Sequence, residues 1–221
     1  MPAPRQFSQE RFTGPLGSTE FLLVRHGQSA DAVEGESFEL LEGQGDPPLS
    51  EIGRHQAELV AALLLREEWA ALYVSNLRRT SETAAPLAAL SGRTPIVEPD
   101  LREVFLGQWE GGLFRQMMAD RGPLVQQMLA EERWDVVPGA EPAQNFSARL
   151  RGAVTRIAAD HADARVVVFT HGGVIGELLA QASGASPFAF IAADNSSISR
   201  LVVAGDRWHV RGFNETTHLI E

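Results

Sequence analysis

Phe21-Leu22-Leu23-Val24-Arg25-His26-Gly27 and, far along the chain, Val166-Val167-Val168-Phe169-Thr170-His171-Gly172-Gly173 share one design: an apolar run that ends in histidine and glycine. Short apolar runs without polar alternation suit strands covered on both faces, as parallel sheets prefer. In an open parallel sheet the carboxyl ends of the strands line one crevice, and ligands bind there. Two histidines delivered to that edge mark a site.

Working outward, the chain reads strand, helix, strand, helix, strand, insertion, helix, strand, helix and two last strands. Glu20 to Arg25 is the first strand. Ser50 caps a helix running to about Arg66, with Ile52, Leu59, Leu63 and Leu64 expected on one face. Short strands at Leu72 to Ser75 and Thr94 to Glu98 flank a helix from about Leu77 to Leu90, which Ser91-Gly92 ends. Met117 to Arg133 reads as helical with a break near Gly122-Pro123, and Phe146, Leu150, Val154 and Ile157 form a second helical stripe. Arg165 to Thr170 is the central strand, and a helix from Val174 to Ser183 opens at His171-Gly172-Gly173. Ser197 to Val203 and Trp208 to Phe213 make a terminal hairpin. The alternation predicts an α/β fold, a three-layer α/β/α sandwich on a mostly parallel central sheet. Residues 1–19 read as a flexible arm and 20–221 as a single domain with a helical insertion at about 113–146.

The bulk numbers narrow the function. With 221 residues, 44% hydrophobic and 22% charged, the chain suits one sizeable core. No apolar stretch reaches membrane-spanning length, and the start lacks the apolar core of a signal peptide. Zero cysteines exclude disulfides and thiolate chemistry, so the simplest address is cytoplasmic. A net charge of −10 argues against nucleic acid or an anionic membrane as partner and makes arginine-rich spots local exceptions. A homo-oligomer stays open.

Those spots fall near strand ends: Arg25-His26-Gly27-Gln28-Ser29, Ser75-Asn76-Leu77-Arg78-Arg79-Thr80, Leu101-Arg102-Glu103 and His171-Gly172-Gly173. Arginine offers a rigid charged fork suited to phosphate oxygens. A neutral imidazole is a competent nucleophile, a helix start presents free N–H groups to an anion, and a carboxyl can protonate a leaving alkoxide. Together these residue types point to phosphoryl transfer through a phosphohistidine, with a small phosphorylated substrate. No metal or other cofactor is expected, because no ligand cluster or Gly-Lys-Ser/Thr phosphate loop is visible.

The chain resembles the histidine phosphatase superfamily, the phosphoglycerate mutase-like family, from about Glu20 to Phe213. The Arg-His-Gly triplet stands at Arg25 to Gly27. Asp46-Pro47-Pro48-Leu49-Ser50-Glu51-Ile52-Gly53 resembles the next motif with one extra proline. Ser75 to Ala84 resembles the catalytic arginine segment, with Arg79 in that position. Leu101-Arg102-Glu103 followed by Gly107-Gln108-Trp109-Glu110-Gly111 resembles the acid segment, and His171-Gly172 the second histidine motif. The resemblance implies a phosphoglycerate mutase-like fold. It implies that His26 attacks phosphorus, that Arg25, Arg79 and His171 hold the phosphoryl oxygens, and that Glu103 moves the proton. Ser29 and the Gly172 backbone N–H are implied as further phosphate contacts.

Departures from the pattern also inform. Ala32 stands where family members often carry asparagine, and Asn76 and Thr80 replace the usual proline and alanine. Gly107 to Gly111 differs from the mutases' Glu-Arg-His-Tyr-Gly stretch, which favours a phosphatase over a mutase or a non-catalytic phospholigand-binding protein. Glu110 and the acids of the insertion compete with Glu103 as proton donor. His55, His161, His209 and His218 are expected to be structural and Arg78 to be a surface or substrate-edge residue, while Trp109, Phe114, Met117, Met118 and Trp134 are open between lining a substrate pocket and packing the core or insertion. The acidic Val33–Gly45 loop and the insertion are expected to shape specificity.

Overall fold

The computed structural model describes residues 5–220; the first four residues of the expected arm, and Glu221, lie outside the described residues. The strands are β1 (Thr19–Arg25), β2 (Leu40–Leu41), β3 (Gln44–Gly45), β4 (Ala71–Val74), β5 (Ile96–Val97), β6 (Arg165–Thr170), β7 (Ile198–Ala204) and β8 (Arg207–Glu215). The helices are α1 (Glu51–Leu64), α2 (Arg78–Ser91), α3 (Leu113–Asp120), α4 (Pro123–Glu131), α5 (Ala143–Asp160) and α6 (Gly172–Ser183).

Six strands form one sheet in the order β5-β4-β6-β1-β7-β8, while β2 and β3 pair by themselves. β5, β4, β6 and β1 run parallel, and β7 and β8 continue antiparallel. The interior of β1, Phe21 to Val24, and that of β6, Val166 to Phe169, have no exposed surface. Strand alternation sends Leu22, Val24, Leu72, Val74, Val167 and Phe169 to a core shared with Val60, Leu64 and Leu87 of α1 and α2. Phe21, Leu23, Tyr73, Val166 and Val168 point the other way, to Phe146, Leu150 and Val154 of α5 and Ile175 and Leu178 of α6. Each such fully buried side chain contributes about 1.5–3 kcal/mol, which makes the central strands a rigid platform.

Register decides where that platform delivers its ends. Val24 pairs with Phe169, and Phe169 with Val74, so Arg25-His26, Thr170-His171 and Ser75 emerge at one edge.

Three local expectations need correction. The buried face of α1 is Gly53, Ala57, Val60, Ala61 and Leu64, whereas Ile52 is 58% exposed. Small residues take the near side because the loop after β1 runs against it. A Cβ at Gly53 would stand 2.0 Å from the Gln28 carbonyl oxygen. The fifth strand shrinks to Ile96–Val97, both exposed at the sheet edge. The helix expected from Met117 begins at Leu113 instead, after Gly112 with φ 106°. It ends at Arg121 in the left-handed region with φ 52°, before Pro123 opens the next helix. Before β1, Gly17 N donates to Asp163 Oδ1, and the Arg211 guanidinium of β8 lies 4.0 Å from the Phe12 ring.

Candidate active site

The loop after β1 is held from three sides. His26 N donates to the Thr170 carbonyl at 2.9 Å, Gly27 N to Thr83 Oγ1 of α2 at 2.9 Å, and Gln28 N to Gln56 Oε1 of α1 at 2.9 Å. Asn195 Nδ2 donates to the His26 carbonyl at 2.9 Å. Gly27 itself admits no side chain, since a Cβ there would lie 2.5 Å from the Gly53 carbonyl oxygen. This packing fixes the His26 ring and leaves it 7% exposed.

The tautomer of His26 follows from one contact. Its Nδ1 lies 2.8 Å from the Gly27 carbonyl, which only accepts, so Nδ1 carries the proton and Nε2 keeps its lone pair. Burial, then Arg79 and Arg25, push the His26 pKa well below its ordinary value. The ring is therefore neutral near pH 7.

His171 is fully buried behind it, with ring centroids 5.2 Å apart in an edge arrangement. Its Nε2 lies 2.8 Å from Ser75 Oγ, while Nδ1 has no hydrogen-bond partner among the described residues. A neutral His171 that accepts the Ser75 hydroxyl keeps its proton on that free Nδ1. Burial and Arg79 hold its pKa well below the usual range as well.

Two guanidinium groups flank the pair. Arg25 Nη1 donates to the Ala193 carbonyl at 2.5 Å, and its buried Nε has no partner among the described residues. Arg79, the first full turn of α2, is 8% exposed and donates from Nη1 to the Gly45 carbonyl at 3.0 Å. Gly172 begins α6 against Arg25; a Cβ there would approach Arg25 Nε to 3.3 Å. The Arg25 Nε and the start of α6 beside it make this a ready anion seat.

Glu103 approaches from the loop after β5. Its carboxylate accepts from Val104 N at 3.0 Å and from Gly173 N at 3.1 Å, in the first turn of α6. Gly173 makes room, for a Cβ would stand 2.4 Å from Glu103 Oε1. Its competitor Glu110 also faces the cavity, bridging Leu106 N and Gly45 N at 2.8 Å each. Burial raises the Glu110 pKa above the ordinary carboxylate value.

A cavity of about 260 Å³ opens over these groups. Arg25, His26, Ser29, Arg79 and Glu103 line it; His171 is not in that lining but stands edge-on to His26, and Gly172 lies against Arg25. Ser29 Oγ accepts from Arg115 Nη2 at 2.6 Å, which leaves the hydroxyl proton free to donate. Phe38, Trp109, Phe114 and Trp134 form an aromatic wall, so three of the aromatics left open between pocket and packing border the cavity. Arg115 and Phe38 went unread in the sequence. Arg115 Nη1 reaches the Ala30 carbonyl at 2.7 Å, a contact 85 residues away along the chain that no local motif announces. Arg78 pairs with Glu82 on the surface, and the acidic residues Glu34, Glu36, Glu39 and Glu42 are exposed.

Comparison with known proteins fits this arrangement. Residues 21–216 match the family model of the histidine phosphatase superfamily, branch 1. The chain is 33% identical over 207 residues to phosphoglycerate mutase-like protein 4 of Arabidopsis thaliana, covering 91% of this chain and 87% of that protein. It is 30% identical over 208 residues to a metal-independent phosphoserine phosphatase of the same plant, covering 91% and 83%. Among solved structures, mycobacterial glucosyl-3-phosphoglycerate phosphatase superposes with a TM-score of 0.73 at 29% identity, covering 90% of this chain and 99% of that one.

Proposed function

This chain belongs to the histidine phosphatase superfamily, and from that premise we infer its reaction. It is a metal-independent phosphomonoesterase that works on small phosphorylated metabolites through a phosphohistidine. The observation that carries the residue roles is the pairing of a neutral His26, proton on Nδ1, with two arginines at the same buried edge.

His26 Nε2 attacks phosphorus and the bond to the ester oxygen breaks. Glu103 gives its proton to that oxygen, so the alcohol leaves neutral. The carboxylate then takes a proton from water, the resulting hydroxide attacks phosphorus, and the P–N bond breaks to return His26 and free phosphate. Arg25, Arg79, His171, the Ser29 hydroxyl and the Gly172 N–H hold the phosphoryl oxygens and oppose their growing charge. Glu103 is preferred to Glu110 because it lies on the α6 start beside the histidines and is the leading carboxylate acting on both Arg25 and Arg79.

The aromatic wall and Arg115 support a compact leaving group with an apolar face. We place the reaction in the cytoplasm on the acidic, cysteine-free composition.

Phosphate release by wild type and His26→Ala tests the reading. Turnover should fall by at least about 10³-fold in the variant. Wild-type-like release from His26→Ala would overturn it. A mutase would instead require a bisphosphate primer and release little phosphate.

A further inference from the structure

Arg149 divides its guanidinium N–H groups between the segment that presents Glu103 and the carboxylate of Glu141. Nη1 donates to the Asp100 and Arg102 carbonyls at 2.7 and 2.8 Å, and Nη2 to the Glu103 carbonyl at 2.9 Å. The remaining donors, Nη2 and Nε, meet the two oxygens of Glu141 at 2.8 Å each. The side chains of this pair are 11% and 14% exposed, and Arg149 lies 4.8 Å over the Phe146 ring of its own helix.

Glu141 grips the same loop further along. Its backbone N donates to the Phe105 carbonyl at 2.8 Å, and its Oε2 accepts from Phe105 N at 3.4 Å. From the opposite side, Gln44 Nε2 of β3 donates to the Glu103 and Val104 carbonyls at 2.9 and 3.4 Å. Thr170 of β6 donates to the Leu101 carbonyl at 2.8 Å. Every carbonyl from residue 100 to 105 is thus captured by a group outside the loop: those of Asp100, Leu101, Arg102, Glu103, Val104 and Phe105.

Such an ion pair is a poor stability device, because desolvating both charges offsets most of their attraction. Fixing geometry is what five fork-shaped donors do well, and a lysine could not reproduce it. We propose that Arg149, neutralised by Glu141 and assisted by Gln44, is a positioning residue that sets the Glu103 carboxyl at the reacting ester oxygen. None of the three needs to touch substrate. The proposal rests on the reading of Glu103 as proton donor.

The test compares kcat/KM for an alkyl phosphomonoester with that for 4-nitrophenyl phosphate in wild type, Glu103→Gln, Arg149→Lys and Gln44→Met. This ratio reports transfer to His26 and not the later hydrolysis, and nitrophenolate leaves without help from an acid. Arg149→Lys keeps the charge beside Glu141 but loses the fork. It should lower the alkyl value about 10- to 100-fold, as a misplaced catalytic group does, with the nitrophenyl value within about twofold. Gln44→Met, which strands no charge, should show the same selectivity at smaller size and decides the matter if Arg149→Lys does not fold. Equal losses on both substrates, or no loss on either, while Glu103→Gln remains selective, would overturn the clamp alone. An unselective Glu103→Gln would overturn the acid assignment and the clamp with it.

Discussion

Burying two imidazoles between two guanidinium groups makes the native state vulnerable to acid. Both His26 and His171 have folded pKa values pushed well below the ordinary 6.5, first by burial and then by Arg79. As pH falls through 6.5 the unfolded chain binds protons that the native chain refuses, so their stabilising contribution is whole above that value and is lost towards the folded pKa. Each histidine adds a slope of up to about 1.4 kcal/mol per pH unit in that window. Urea unfolding at pH 7.5, 6.5 and 5.5 should show falling stability, with a shallower slope in His171→Gln; a flat profile in wild type would contradict it. Arg79 makes a second residue-scale case. One of its nitrogens is taken by the Gly45 carbonyl, which aims the rest of the fork into the cavity. Arg79→Lys should cost about 10²-fold in kcat/KM despite the retained charge, as loss of a transition-state donor does. Activity within a few-fold of wild type would mean that charge alone suffices.

At the scale of elements, the loop after β1 and helix α1 meet backbone to backbone. Glycines at 27 and 53 permit this, and neither has a positive φ; close approach is their reason. Gly53→Ala would drive a methyl group against the Gln28 carbonyl. It should destabilise the fold by about 1–3 kcal/mol and lower turnover, because the same loop carries His26. Denaturant midpoints and 4-nitrophenyl phosphate assays on one preparation would show it; unchanged values for both would mean that the helix can shift without disturbing the site. The same contact explains the mistaken face of α1. Apolar periodicity placed Ile52 inside, but the near side had to be small, and Ile52 turned to solvent.

For the whole molecule, one six-stranded sheet separates two apolar cores and brings groups from four distant segments to a single edge. On the proposed reaction, phosphate charge at that edge would be met by arginines, histidines and a helix start. Phosphate release should therefore persist in excess EDTA, unaltered within about twofold, since no Lewis acid is needed where fixed donors oppose the charge. Loss of activity restored by a divalent ion would contradict this. The strands β1 and β6, their histidine ends and the stripe of α5 were legible in the amino-acid order, because an unbroken apolar run or a 3.6-residue period is a local consequence of burial. The Arg25, His26, Arg79, Glu103 and His171 set could be named from the resemblance to the family's motifs, and the structure gathers these side chains at one place. Tertiary structure alone decided that Arg115 reaches Ser29, that Trp109, Phe114 and Trp134 border the cavity, and that Arg149 grips the Glu103 loop. Those contacts join residues far apart in the chain. A periodic pattern reports that a face is covered, whereas the partner that covers it is chosen only when the layers pack.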